Sequence, residues 1–235
     1  FANTSASIFL QLTRPKPDDF RDFWKQQRKL ITEKNEQGFR PIDVGPVTMG
    51  FRLSTEKTGF SVYQDLVYPK GAYILHMIRM MMWTPQEGEE RFKATMRDFL
   101  STYRMQAATT EDFKAMVEKH MSAQMDLDRN HRMDWFFNQY VYGTDLPTYH
   151  FEGQATPNDQ GTSIHFKLTQ SGVSPTFRNL VPIYLEFADG KIIHLGGVPI
   201  IGSNTVEQTA QLPKMQGPIK RLMINYYYDL LCIEN

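Results

Sequence analysis

The chain has 235 residues, of which 41% are hydrophobic and 13% aromatic, enough to bury one large core or two modest ones. Its 26 basic and 26 acidic side chains give a formal charge of zero, so no overall field would attract nucleic acid or an anionic membrane. The single cysteine, Cys232, excludes an intrachain disulfide and a cysteine-rich zinc module.

The first part of the chain, up to about Thr144, has helical patterns. Residues 1–12 place apolar side chains on one face of a helix, and they show neither an initial methionine nor the basic leader of a signal peptide. This start resembles a cut within a longer chain. Pro15 and Pro17 interrupt the helix, and Pro17 with the two aspartates after it is a good start for a second one.

Residues 35–67 contain several glycines and no lasting helical period, which predicts a long structured connection of the kind that often lines a site. A buried helix is predicted next, from about Lys70 to Trp83. Its apolar run is about half of the roughly 20 residues that a membrane span needs, and it contains His76 and Arg79. The pattern therefore indicates a core helix.

Three more helices complete the first part. They are predicted at residues 89–104, at residues 111–124 and around the segment that ends at Gly143, a residue type expected just past a helix end. The second of them begins with a capping box, in which Thr109 caps the helix and Asp112 stands at the third helical position.

After Pro147 the hydrophobic period shortens to two residues, with Gly, Pro, Asn and Asp between the segments. Asp189 and Gly190 form the predicted two-residue turn of the clearest hairpin. The strand predictions cover residues 148–155, 163–170, 181–188, 191–198, 205–212 and 218–225. Six or seven short strands predict an antiparallel β-sandwich, so the fold class is α+β with domains 1–146 and 147–235.

A search for a self-contained active site mostly finds none. No pair among the six histidines has the spacing of His-Glu-x-x-His, and neither a Gly-x-Ser-x-Gly elbow nor a phosphate loop occurs. Cys232 is interpreted as a packing residue. His165 and His194 are interpreted as polar residues on the outward faces of strands.

The stretch "DLVYPKGAYILHMIRMMMW" combines a helix start with a candidate catalytic residue. Pro69 suits a first helical turn and favours an extended, cap-like Tyr68. There the phenol could donate a hydrogen bond to an oxyanion beside the positive end of the helix dipole. The alternative, which is the commoner case for such a residue, is a tyrosine that only packs at a helix start.

Within this stretch, "VYPKGAYILHMIRMM" resembles the Tyr-x-Lys-Gly-Ala motif of the gluzincin zinc aminopeptidases, the family of membrane alanyl aminopeptidase and leukotriene hydrolase. The segments "ATTEDFKAMVEKH" and "MDWFFNQYVYGTDLPTY" resemble two further helical motifs of that family, with Tyr140 in place of the usual tryptophan. "RPIDVGPVTMGFRL" is similar to the segment before the tyrosine in bacterial members. The resemblance implies the helical C-terminal part of a thermolysin-like catalytic domain, followed by an immunoglobulin-like β-sandwich.

The same resemblance implies roles for individual residues. Tyr68 would donate to the oxyanion during peptide hydrolysis, while Tyr63, Lys70 and Gly71 are candidates to line the cleft. Zinc would be the cofactor of the intact parent, and peptides its substrates. The family's zinc ligands precede the segment that "FANTSASIFLQ" resembles, so all of them are expected upstream of Phe1. This chain alone is therefore expected to bind no zinc and to be inactive. The resemblance leans towards a bacterial periplasmic or secreted parent.

A second hypothesis belongs to another class of protein. The chain would then be a non-catalytic interaction module, helical plus β-sandwich, of a degenerate peptidase. The residues encoded before Phe1 would discriminate between the two, because only the first hypothesis requires intact zinc ligands there. A fragment cut within a catalytic domain should also expose formerly covered apolar surface. Phe1, Ile8 and Phe9 are candidates for such surface, which often promotes self-association.

Overall fold

The computed structural model describes residues 1–14 and 16–233. The chain divides into two compact units, one spanning Phe1–Thr144 and one starting at Asp145. The first unit is helical and the second consists of β-strands. The predicted α+β class is confirmed.

The first unit is a layer of helices joined by short connections. Within the described residues it contains two 3₁₀ segments, Val47–Leu53 and Ala123–Met125, and seven α-helices. The helices are α1 (Ala2–Thr13), α2 (Pro17–Thr32), α3 (Pro41–Val44), α4 (Val62–Met82), α5 (Glu90–Thr102), α6 (Thr110–His120) and α7 (Asp134–Tyr140).

Helix α2 begins at Pro17, as predicted, with Asp18 and Asp19 in its first turn. The carboxylates stand where the helix dipole favours negative charge. Pro15, the other predicted interruption, lies outside the described residues.

Helix α4 is the buried centre of the first unit. Tyr73 and Ile78 are fully buried, and the indole of Trp24 from α2 stacks on the His76 ring with centroids 4.0 Å apart. Arg79 is also buried. The prediction of a core helix is confirmed. Among the described residues, no helix combines the length and the apolar character needed to cross a membrane.

The predicted start of α4, near Lys70, is wrong. The helix begins at Val62 and contains Pro69 in its interior. A proline inside a helix destabilises the helix by about 3 kcal/mol. The two helical turns before Pro69, however, contain Val62 and Leu66, which are both fully buried. Burying two such side chains contributes a similar or larger amount. Tyr68 is consequently a residue of the second helical turn and not a cap.

The connection over residues 35–67 is shorter and more helical than predicted. It contains α3 and the 3₁₀ segment Val47–Leu53, which is broken at Gly50, where φ is +57°. Glycine adopts this conformation readily because it has no Cβ. Since α4 starts at Val62, the connection ends six residues earlier than the pattern indicated.

The capping box at the start of α6 is confirmed. The Thr109 hydroxyl accepts the Asp112 N–H at 3.2 Å, and the Asp112 carboxylate accepts the Thr109 N–H at 2.8 Å. The helix ends at His120 and not at residue 124. Met121 is outside helical geometry, with ψ of 147°, and the Ser122 hydroxyl instead donates to the Met81 carbonyl at 3.2 Å.

A buried lysine joins α4 to the residues that follow α7. The Lys70 side chain is 0% exposed, and its Nζ donates to the Gly143 carbonyl at 2.8 Å. Burial lowers the pKa of Lys70 to about 7. Gly143 follows the end of α7 closely, and a Cβ there would lie 2.6 Å from the Gln139 carbonyl oxygen. Glycine is therefore required at this helix end.

The second unit contains two three-stranded antiparallel sheets in the described residues. The strands are β1 (Thr148–Asn158), β2 (Gly161–Ser171), β3 (Arg178–Phe187), β4 (Ile192–Ile201), β5 (Asn204–Leu212) and β6 (Ile219–Ile224). Their order is β1-β2-β5 in one sheet and β4-β3-β6 in the other. All six predicted segments are strands.

The hairpin between β3 and β4 differs in its turn. The Phe187 N–H donates to the Lys191 carbonyl at 2.9 Å, so three residues and not two form the loop. Gly190 has φ of +87° and donates to the Phe187 carbonyl at 3.0 Å. This is the common three-residue loop, in which glycine takes the left-handed position.

The two sheets share a buried polar network. The Tyr149 hydroxyl of β1 donates to the Gln170 side chain of β2 at 2.7 Å and accepts from Asn179 of β3 at 2.6 Å. Such a network is stable in an apolar core when its groups are hydrogen-bonded. It fixes one sheet against the other.

The two histidines predicted on the outward faces of strands differ in burial. His165 is exposed on β2, as predicted. The prediction for His194 is wrong, because this side chain is half-buried and stacks on Tyr184 at 4.8 Å. Burial lowers the pKa of His194. Cys232 is buried, as expected of a packing residue.

Lys70→Met should stabilise the protein most at or below pH 7. Because the folded-state pKa is about 7 and that of an unfolded lysine is about 10.4, the unfolded state binds more protons between these values. The free energy of unfolding of the wild-type protein therefore rises with pH across this window, because the buried lysine loses its unfavourable charge. Chemical denaturation of both proteins from pH 6 to 10.5 should show the difference in their free energies of unfolding shrinking by about 4 kcal/mol. A difference that is independent of pH would contradict the buried-lysine assignment.

Candidate functional site

Tyr68 lies on the exposed side of the first turns of α4, together with Gln64. Its side chain is 52% exposed, although the neighbouring Pro69 and Lys70 are buried. Successive helical residues point about 100° apart, so a single exposed position can lie between buried ones. The hydroxyl group is thus presented to solvent by a helix whose backbone is fixed from the other sides.

Tyr63 and Phe51 form an aromatic cluster with Tyr68. The Tyr63 and Tyr68 rings meet edge to face with centroids 5.8 Å apart, and Phe51 stacks on Tyr63 at 4.1 Å. A hydrogen bond with Tyr68 raises the pKa of Tyr63. The Tyr63 N–H is held by the Ser54 hydroxyl at 2.9 Å. The structure therefore brings the two predicted tyrosines together.

Lys70 and Gly71 occupy different places from Tyr68. Lys70 is fully buried, and its ammonium donates to the Gly143 carbonyl between α4 and the end of α7. It therefore does not line an open cleft. Gly71 lines a separate cavity of about 320 Å³ together with apolar residues such as Phe137. A Cβ at Gly71 would meet no atom within 4 Å.

The described residues offer a hydrogen-bond donor at this surface. They contain no group of three His, Cys, Asp or Glu side chains that could hold a metal ion. A phenol hydroxyl can donate a hydrogen bond to a developing negative charge. What this surface can supply chemically is therefore a positioned donor beside an aromatic cluster.

Phe51 is the member of the cluster that sequence reasoning missed. It lies in the 3₁₀ segment Val47–Leu53, it is 77% exposed, and it is brought to Tyr63 by the chain reversal before α4. An aromatic residue after a glycine was the available signal. Its partner could not be identified because the contact depends on how the connection folds back.

A comparison with models of known protein families finds a match within the helical unit. The family profile described as the peptidase family M1 domain matches residues 12–140, which is more than half of the chain. No curated protein sequence matches the chain significantly.

Among solved structures, 34 chains match significantly. One is the crystal structure of Legionella pneumophila aminopeptidase A in complex with aspartic acid, with 16% sequence identity and a TM-score of 0.49. The match covers 76% of this chain and 19% of that chain, so this chain spans about a fifth of the length of that protein.

The matched region contains Tyr68, Tyr63 and every helix from α2 to α7. Because the profile covers more than half of its length, this chain belongs to peptidase family M1.

Proposed function

We propose that the chain is the C-terminal segment of a zinc-dependent aminopeptidase, in which Tyr68 stabilises the oxyanion formed when a peptide carbonyl is attacked. The observation that carries this proposal is the exposure of Tyr68 on a helix that is mostly buried. Its position in the motif that resembles Tyr-x-Lys-Gly-Ala agrees with that role. Peptides are the proposed substrates.

The geometry suits a donor that must be in place before the reaction. Helix α4 is anchored by buried residues on both sides of Tyr68, namely Leu66 and Tyr73, so the tyrosine backbone needs no reorganisation. A preorganised donor stabilises developing charge more effectively than water, which must reorient. The edge-to-face contact with Tyr63 further restricts the Tyr68 ring.

Zinc, in this proposal, is held by residues that precede Phe1 in the parent protein. When bound, it would supply a Lewis acid and an activated water. The described residues do not form a metal site, so their proposed contribution is confined to the tyrosine hydroxyl, the cleft aromatics and the support of α4. We further propose that the β-strand unit is an immunoglobulin-like domain.

Self-association of the chain is a further proposal. Phe1 and Phe9 are 55% and 65% exposed, while Ile8 is half-buried. Exposed apolar patches of this kind often mark contacts between proteins.

Tyr68→Phe in the full-length protein should lower kcat on a peptide substrate by about 10² to 10³ with little change in KM, because one oxyanion donor is removed. Steady-state kinetics with a fluorogenic aminopeptide substrate measures both constants. Tyr142→Phe is a matched control, since Tyr142 is another exposed tyrosine, 40% accessible, outside the aromatic cluster. Wild-type kcat in Tyr68→Phe would remove the proposed role.

The chain of 235 residues, purified by itself, should bind less than stoichiometric zinc and cleave no aminopeptide substrate. Elemental analysis and the same fluorogenic assay test this expectation. Stoichiometric zinc with turnover would show that the chain holds a complete site. If the full-length protein also lacks zinc and activity, the non-catalytic interaction module replaces the enzyme as the explanation.

A further inference from the structure

A groove separate from the tyrosine cluster runs between α1 and α5. Its volume is about 710 Å³, within the range of sites for small ligands, and its floor is formed by Leu75 and Arg79 of α4. Arg79 follows Tyr68 by eleven residues, about 16 Å along the helix axis. Apolar side chains make up a large part of the lining, among them Ile8 and Leu12 of α1 and Phe92 and Met96 of α5.

The guanidinium of Arg79 is incompletely satisfied. Its side chain is only 4% exposed, and Nη2 donates to Glu89 and, at 2.6 Å, to Gln11. Nε and Nη1 have no hydrogen-bond partner among the described residues. Arginine carries five N–H donors, and buried donors without acceptors are unfavourable. A further acceptor at this position would therefore be stabilised.

The charges around the groove favour an anionic acceptor. Arg79, Lys93 and Arg97 line it, and among the described residues Glu89 is the carboxylate that does so. Gln11 is the neutral acceptor on the guanidinium, and it lies on the exposed side of α1. A ligand carboxylate that displaced the Gln11 amide would replace a neutral hydrogen bond by a charge-assisted one and could reach Nη1 as well.

We propose that this groove binds an apolar monocarboxylate, with the carboxylate on Arg79 and the apolar body between α1 and α5. The proposal is independent of the peptidase assignment. A free medium-chain fatty acid and the carboxyl terminus of an apolar peptide present the same chemistry, so both belong to the ligand class.

Isothermal titration calorimetry of the full-length protein with decanoate tests the proposal. Saturable binding is expected, with 1-decanol binding about ten- to a hundredfold more weakly because it lacks the charged hydrogen-bond acceptor. N-acetylated tri-leucine and its C-terminal amide, titrated in the same way, distinguish the peptide source from the fatty acid, because the blocked amino end prevents recognition as an aminopeptidase substrate. Absence of saturable binding by both carboxylates, or equal affinity for decanoate and decanol, overturns the proposal.

Two variants test the assigned contact. Arg79→Met should abolish the preference for decanoate over decanol. Gln11→Glu, at an exposed residue, should place a carboxylate of the chain itself on Arg79 and weaken decanoate binding at least tenfold. Gln106→Glu makes the same charge change on an exposed residue outside the groove and should leave affinity unchanged. Equal affinities in Gln11→Glu and Gln106→Glu would show that Arg79 does not hold the carboxylate.

Discussion

The burial of α4 is the constraint on which the rest of the helical unit depends. Helices α1, α2, α3 and α5 all pack against it. In this packing, Trp24 of α2 stacks on His76 of α4. This packing keeps the helix continuous through Pro69, which would otherwise favour a break. A rigid central helix can hold an exposed side chain in a fixed position, and Tyr68 is the exposed aromatic side chain of α4.

Three consecutive residues of the motif have three different physical roles. Tyr68 faces solvent, Pro69 is accommodated inside the helix, and Lys70 is buried against the Gly143 carbonyl. The lysine packs on the buried side of the helix, while the tyrosine carries the proposed chemistry. All three residues lie in the region that matches the peptidase family M1 domain. The direction of each side chain on the helix determines whether it is exposed or buried.

The parts of the fold that could be predicted from the sequence are those set by local patterns. Strand alternation and turn residues located all six strands, and the capping box located the start of α6. The start of α4 could not be predicted, because the burial of Val62 and Leu66 depends on other helices. The same applies to Lys70 and Gly143, whose hydrogen bond joins residues 73 positions apart. At the candidate site, the sequence identified both tyrosines but not the contact of Tyr63 with Phe51.

In the proposed function, a continuous α4 presents Tyr68 to the oxyanion of a peptide substrate. A crystal structure of the full-length protein with a phosphinic peptide, which mimics the tetrahedral intermediate, would show this contact. We expect the Tyr68 hydroxyl about 2.7–3.1 Å from a phosphinyl oxygen, with α4 helical from Val62 through Pro69. A bound inhibitor that Tyr68 does not contact, or a helix that begins only at Lys70, would contradict it.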